Sequence, residues 1–537
     1  MYTVFSAFQA MAHSRPDAHF LCVPPRAKRS YAPAGVVHTY GDALERVLEL
    51  KAMFHEAGYG PGHRVILALD NRPDMVFHWF ALNSLGCSIV PINPSWKASE
   101  LSYILGHVEP ALVIALPDRR DLLSQAQAVA GSSVPMASDR ESAYPAPLRA
   151  ADRAIIPGFD TEAAVLYTSG TTARPKGCVL SNHYFVAAGH WYASRGGKAA
   201  YHFGRDRLYS PLPLFHMAGL SLTTMGMMLT GGCLILPERF SARNFWTDVV
   251  LTDATAVHYL GVILAALMAR PPEPGESSHR LRFAMGVGAD AALRERAQMR
   301  YGIPFVEGWG MTETGRSCFS TDSHGRRDLN GIGRSEPGLE LSVQDETGEC
   351  VAPGVPGELC ARHSASNPRS GFFSAYLKDE AAVEHAWRGG WLHTGDVAME
   401  MPDGMLVFVD RQKNIIRRSG ENVAAAEVES VLTQHPDVVQ VAVGGVKDGM
   451  REEEVGACIV LKPGAKPTPA TARKIFKWCL PRMAYYKLPA WITFMEQLPL
   501  TATNKIFKNE LFGPDRNEAL WAGVVDLRES KSEASKG

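Results

Sequence analysis

Short apolar runs rich in β-branched residues alternate along this chain with longer stretches whose apolar positions recur at helical spacing. In the first third, "RVILALD" precedes "MVFHWFALNSLG", "CSIVPIN" precedes "ASELSYILGHV", and "ALVIAL" precedes "DLLSQAQAVA". Strands apolar on both faces, each followed by a helical pattern, predict a parallel sheet covered by helices. The alternation resumes in "GCLILPERF", "ATAVHYLGVILAALMAR" and "RLRFAMGVGA", the last ending in small residues that let a backbone approach a ligand. Past Gly331 the texture changes to short strands punctuated by Gly and Pro, as in "GLELSVQDETGECVAPGVPGELCAR", which predicts a β-rich subdomain. From "AAAEVESVLTQHPDVVQVAVGGV" onward helix and strand alternate again, over a length able to fold alone. The predicted fold class is α/β. Residues 1–410 form a large N-terminal domain of two parallel-type α/β subdomains plus the β-rich subdomain, and residues 411–520 a small α+β C-terminal domain. The charged run 410–413 reads as a hinge, and residues 521–537 as a polar, disordered tail.

Composition narrows the function classes. With 537 residues, 46% hydrophobic and 21% charged, the chain has material for more than one core. Lys plus Arg (55) balances Asp plus Glu (56), so no long-range field favours nucleic acid or an anionic membrane, and an anionic ligand must be held locally. The first residues lack a basic segment followed by an apolar one, and no later stretch is apolar long enough to span a bilayer, which predicts a soluble cytoplasmic protein. The nine cysteines are odd in number and contain no CxxC pair, which argues against a disulfide framework and a cysteine zinc site.

The stretch "LYTSGTTARPKG" from Leu166 to Gly177 packs glycines, hydroxyls and a lysine behind the apolar run "AAVL". Read as a loop between a strand and a helix, it exposes N–H donors that can replace water around phosphate oxygens, with Lys176 as point charge. It is not a P-loop, since proline stands where the second glycine belongs and glycine where Ser or Thr should follow the lysine. A solvated loop whose hydroxyls satisfy their own backbone is the competing reading.

Downstream lie "GWGMTET", "GELCAR", "WLHTGD", "DRQKNIIRRSGENV" and "PLTATNKIFK". In this order the motifs resemble the adenylate-forming superfamily of acyl-CoA synthetases, firefly luciferase and peptide-synthetase adenylation domains, over about residues 10–512. The resemblance implies an AMP-forming carboxylate–CoA ligase: MgATP and a carboxylic acid give acyl-adenylate and pyrophosphate, and the acyl group then passes to coenzyme A. It implies Thr168, Ser169, Gly170, Thr171, Thr172 and Lys176 over the β and γ phosphates, and Thr312 and Glu313 at the α-phosphate. Mg²⁺ falls to Glu313 and Thr171, oxygen ligands suited to a hard dication. Trp309 is expected to stack on adenine, with Gly288, Ala289 and Gly308 beside the base and Asp396 and Arg411 on the ribose. Lys505 matches the lysine that bridges α-phosphate and carboxylate during adenylation, and His216 the residue between acid pocket and thiol tunnel. Gly420 leaves room for a pantetheine arm once the mobile C-terminal domain has rotated. Two positions depart from the pattern, Ala173 and Asn504, each standing where the family has glycine.

The acid and the acceptor are less constrained. "PLFHMAG" lacks the aspartate that amino-acid-activating members place near this histidine, and no carrier domain follows, so free coenzyme A is the natural acceptor. "FSARNFWTDVV" and "RPPEPGESSHRLRF" look most like carnitine and crotonobetaine CoA ligases. A quaternary ammonium needs an aromatic or acidic cage, for which Trp191, Tyr192, Tyr259 and Asp290 are candidates. Trp191, Met225, Met227, Met228 and Val287 are the alternative, an apolar pocket. An amide-forming adenylating enzyme and a non-catalytic nucleotide- or acyl-binding relative stay open, as does a homodimer; no nucleic acid or membrane partner is expected.

Overall fold

The computed structural model describes residues 2–534, apart from 153, 169–174, 290, 322–330, 412–414, 500–505, 507, 514–520 and 522. Among the described residues the strands form four sheets. In the first, Glu162–Thr168, Ser88–Pro91, Arg64–Ala68, Leu112–Ala115 and Met136–Ala137 run parallel, with Lys176–Ser181 and Ala375–Tyr376 added antiparallel at one edge. In the second, Phe305–Gly310, Phe283–Val287, Ala256–Leu260, Arg207–Tyr209, Cys233–Ile235 and His19–Val23 run parallel, flanked at the edges by antiparallel Ser317–Phe319 and Val36–Thr39. Both interiors are largely buried, as expected of strands covered on both faces.

The main core holds the fully buried rings of Phe8, Phe20, Tyr40, Trp79, Phe80 and Tyr184. The helix Pro73–Ser84 buries nearly every residue, as a helix apolar all round its circumference must. The third sheet, Gly331–Gly333, Leu406–Arg411, Leu392–Glu400, Pro356–Arg362 and Glu340–Gln344, is wholly antiparallel. The fourth is built from strands that begin at Ile415 or later. There Val438–Asp448 and Glu452–Leu461 form a long hairpin backed by the helices Ala425–Thr433 and Pro469–Cys479. All nine cysteines are free thiols, and Cys350 alone is exposed.

Two expectations are revised. The glycine-rich stretch does not lead into a helix: strand Lys176–Ser181 returns antiparallel on Glu162–Thr168, with Thr168 opposite Lys176, and the helix Asn182–Ala193 begins only afterwards. The cause is the apolar run "GCVL", whose Cys178 and Leu180 belong in the core. Residues 525–534 of the expected tail are also ordered. Val525–Asp526 pairs with Trp491–Phe494, and Arg528–Ala534 is a helix that buries Leu527 before it and Lys531 within it. A composition rich in Ser, Lys and Glu hid these two inward-facing positions.

Candidate active site

A cavity of about 460 Å³ opens where the first sheet, the antiparallel subdomain and the C-terminal domain meet. It gathers Thr168 and Lys176 from the two strands flanking the glycine-rich stretch, Thr312 and Glu313 from the turn after Phe305–Gly310, His216, Asp396 from Leu392–Glu400, and Gly420. These span some 250 positions of sequence, and only the tertiary fold brings them together.

Lys176 opens its strand, and Nζ stands 4.7 Å from the centroid of the Tyr376 ring. Tyr376 O–H in turn donates to Glu313 Oε1 at 2.8 Å. Burial raises the Glu313 carboxyl above its ordinary range, although this hydrogen bond and the Lys176 charge oppose the rise. The Thr312 carbonyl accepts from Tyr184 O–H at 2.8 Å, which ties the turn to the core. Thr168, Thr312 and Glu313 offer oxygen donors only, a set that fits Mg²⁺ rather than a softer metal.

Asp396 is buried and accepts from Trp309 Nε1–H at 2.8 Å. The segment leading to Asp396 is anchored by Glu358 of "GELCAR", whose carboxylate accepts from Gly395 N–H (3.0 Å) and Arg388 Nη2 (3.2 Å), with His393 Nδ1 at 2.8 Å. Arg411 stands opposite Asp396 in the ladder between Leu392–Glu400 and Leu406–Arg411, and its side chain lies outside the described part.

The far wall comes from the C-terminal domain. Ser419 (φ 53°) and Gly420 (φ 85°) turn the hairpin Ile415–Arg418/Glu421–Ala424, a two-residue turn with both residues left-handed, where glycine is the natural occupant. Glu421 Oε2 faces His216 Nε2 at 3.5 Å, and its Oε1 accepts from Asn93 Nδ2 at 3.3 Å. Burial raises the Glu421 carboxyl, but the charges of His216 and Lys487 outweigh it and leave it below its ordinary value. Lys487, also in the cavity wall, donates to Glu100 Oε1 and Glu427 Oε1, both at 2.6 Å. The Tyr486 hydroxyl oxygen accepts from Trp96 Nε1–H at 3.2 Å. Asn93, Trp96 and Glu100 belong to the N-terminal domain, so this wall is an interdomain contact.

Several expected residues sit elsewhere. Trp309 is 4% exposed in the main core, does not line the cavity, and supports Asp396 through its N–H. Gly288, Ala289 and Gly308 do not line the cavity either; Ala289 N–H donates to Glu307 Oε1 at 3.2 Å, and Gly308 is packed tightly on Phe319. Ser169, Gly170, Thr171, Thr172, Asp290 and Lys505, with Ala173 and Asn504, lie outside the described residues, as do 412–413 of the hinge.

Among the described residues, no member of either acid-pocket set lines the cavity. Trp191 donates to the Ser317 carbonyl at 2.8 Å and carries the Arg195 guanidinium 4.1 Å from its ring centroid. Tyr192 and Tyr259 are buried with their hydroxyls engaged by His258 and Glu307, and Met225, Met227 and Met228 are fully buried in the main core. The apolar wall is formed by Leu166, Phe215, Met217, Ala218 and Met311. Sequence reasoning passed over Glu421, although it lies inside the quoted "RRSGENV", and over Asn93, Trp96, Tyr376 and Lys487, which carry no motif signal.

Residues 8–369 match the family described as AMP-binding enzyme, and residues 427–505 match the AMP-binding enzyme C-terminal domain. The chain is similar to the crotonobetaine/carnitine–CoA ligase of Salmonella paratyphi A, with 30% identity over 491 residues covering 88% of this chain and 92% of the relative. Among solved structures, a double mutant of o-succinylbenzoate CoA synthetase from Bacillus subtilis superposes with TM-score 0.79 at 24% identity, over 95% of this chain and 98% of the other. An amide bond synthetase from Marinactinospora thermotolerans gives 0.78 at 24% identity, over 95% and 100%. At that identity the two structures speak for the fold alone. No helix among the described residues is long and apolar enough to cross a membrane.

Proposed function

The chain belongs to the family of AMP-binding enzymes, and from that premise we propose how its own residues divide the work of an acyl-CoA synthetase. It is an ATP-dependent acid–thiol ligase acting through an acyl-adenylate. In the first step an oxygen of the substrate carboxylate attacks the α-phosphorus and the bond to pyrophosphate breaks. In the second the coenzyme A thiol gives up its proton and attacks the acyl carbonyl carbon, and AMP leaves.

Two anions must meet in the first step, so the main requirement is preorganised positive charge and hydrogen-bond donors. Lys176, with the Thr168 and Thr312 hydroxyls, meets the phosphates, joined by Ser169, Gly170, Thr171 and Thr172. Glu313 and Thr171 hold Mg²⁺, which when bound supplies positive charge against the phosphate oxygens. Asp396, held by Trp309 and by the Glu358-anchored segment, accepts from the ribose hydroxyls, with Arg411 on the same sugar.

Lys505 bridges α-phosphate and carboxylate. The 411–520 domain that carries it is proposed to rotate about 410–413 between the two steps. The observed arrangement, with Gly420 and Glu421 at the cavity, suits the thiol step, and His216 gates the passage between acyl group and thiol. The single observation that carries this reading is the convergence of Lys176, Glu313, Asp396, His216 and Gly420 on one cavity. Its apolar wall, and the engagement of Trp191, Tyr192 and Tyr259 elsewhere, favour an acid with an uncharged apolar body over a betaine.

The test is pyrophosphate, AMP and thioester production from MgATP across betaine, aliphatic and aryl acids, each with and without coenzyme A. Acid-dependent pyrophosphate release with a coenzyme A-dependent thioester from an apolar acid is expected. Turnover confined to betaine acids would overturn the pocket assignment, and amide formation with a free amine in place of thioester would overturn the acceptor.

A further inference from the structure

A lysine on a short helix ordinarily faces solvent. The helix Arg528–Ala534 departs from that pattern: Lys531 is wholly buried, and so is its partner Glu454. Desolvating an ammonium is costly unless close partners replace its water. Lys531 Nζ donates to Glu454 Oε2 at 2.6 Å and to the Leu488 carbonyl at 2.5 Å. Burial and the Arg418 cation pull its pKa down to about 7, with Glu454 working against both. The helix lies beyond the family match, which ends at residue 505.

Both partners lead to the cavity wall. Glu454 Oε1 accepts from Arg418 Nε at 2.6 Å and from Arg451 Nη1 at 2.8 Å. Arg418 is the last residue before the Ser419–Gly420 turn that brings Gly420 and Glu421 to the cavity. Leu488 directly follows Tyr486 and Lys487, which line the same cavity. One buried ammonium thus joins two separate wall segments: the hairpin through a shared carboxylate, and the 486–487 turn through a backbone carbonyl.

We infer that the C-terminal helix is a positioning element of this wall, with Lys531 holding the 418–421 turn and the 486–488 segment in register with each other. Lys531 touches no substrate and acts through Glu454, Arg418 and Leu488. That the wall serves the thiol step rests on the function proposed above; the positioning itself does not.

The experiment is amide hydrogen exchange on the full-length protein and its Lys531→Met variant, read at residues 416–423 and 485–488, with strand 64–68 as internal reference. Kinetics of the two half-reactions accompany it. Exchange in both wall segments is expected to rise about tenfold with the reference unchanged. KM for coenzyme A is expected to rise about tenfold, with acid-dependent pyrophosphate exchange within about twofold. Lys531→Gln, which keeps a donor for Leu488, should fall between wild type and Met, and stands in if the Met variant does not fold. Faster exchange confined to residues 525–534, or loosening that reaches the reference strand equally, would overturn the inference. Faster exchange in both wall segments with KM for coenzyme A unchanged would uphold the positioning and overturn the reading of this wall as the thiol side.

Discussion

Glu307 lies on the strand Phe305–Gly310 with its carboxylate buried, accepting from Tyr259 O–H at 2.7 Å and from Ala289 N–H at 3.2 Å. Burial pushes its pKa up to about 7, while Arg294 and the two hydrogen bonds oppose the rise. A carboxyl raised in the folded state binds its proton more tightly there than in the unfolded chain. Its contribution to stability is therefore fully present below the ordinary pKa and is lost as pH rises toward 7, by about 3 kcal/mol in all. The gap in denaturation midpoint between wild type and Glu307→Gln should accordingly move in favour of the variant between pH 4.5 and 7 and stay constant above. A gap that does not change over this interval would show that Glu307 ionises normally. At the same scale, Trp309 shows how a site residue can work at one remove, because its N–H fixes a carboxylate that itself faces the cavity.

At the scale of elements, the hairpin Ile415–Arg418/Glu421–Ala424 connects backbone geometry to chemistry. Gly420 sits at φ 85°, and a Cβ there would come within 2.5 Å of Leu260 Cδ1. A side chain at positive φ costs about 1–2 kcal/mol, and here it also disturbs the wall opposite His216. Gly420→Ala should slow thioester formation from supplied acyl-adenylate about tenfold or more, leaving acid-dependent pyrophosphate exchange within about twofold. Equal losses in both half-reactions would refute the assignment of this turn to the thiol step. The strand pair flanking the glycine-rich stretch is the other element of note. Because Lys176 starts a strand and no helix follows directly, a phosphate held beside it, as proposed above, would have no helix terminus behind it.

At the scale of the whole molecule, the two domains meet across buried polar contacts. Lys487 is held by Glu427 of its own domain and Glu100 of the other. Burial works against its charge, yet Tyr486 and the two carboxylates keep its pKa well above the ordinary value. Rotating the C-terminal domain would separate Lys487 from Glu100 and leave Glu427 in place, so a cation is not stranded without a partner. Lys505→Ala should cut adenylation about 10²–10³-fold while sparing thioester formation from supplied acyl-adenylate. If both steps fell together, the division of the two steps between domain arrangements would be wrong. The elements themselves were readable in the sequence, because period-two and period-3.6 patterns reflect which faces are buried. Strands at Arg64–Ala68 and Phe283–Val287 and the helix Ala98–Val108 fall where the periodicity puts them. Motif order carried Lys176, Glu313, Asp396 and His216 because their spacing along the chain is itself informative. What periodicity could not report is long-range complementarity. Lys531 reads as one more polar residue until Glu454 is found 2.6 Å away, and the tie between Trp309 and Asp396 is invisible until Asp396 is seen to accept its N–H. The sequence by itself determined most of the elements, the fold class and the family. Only the tertiary structure decided which charges are buried together, since burial and pairing arise between segments that are distant along the chain.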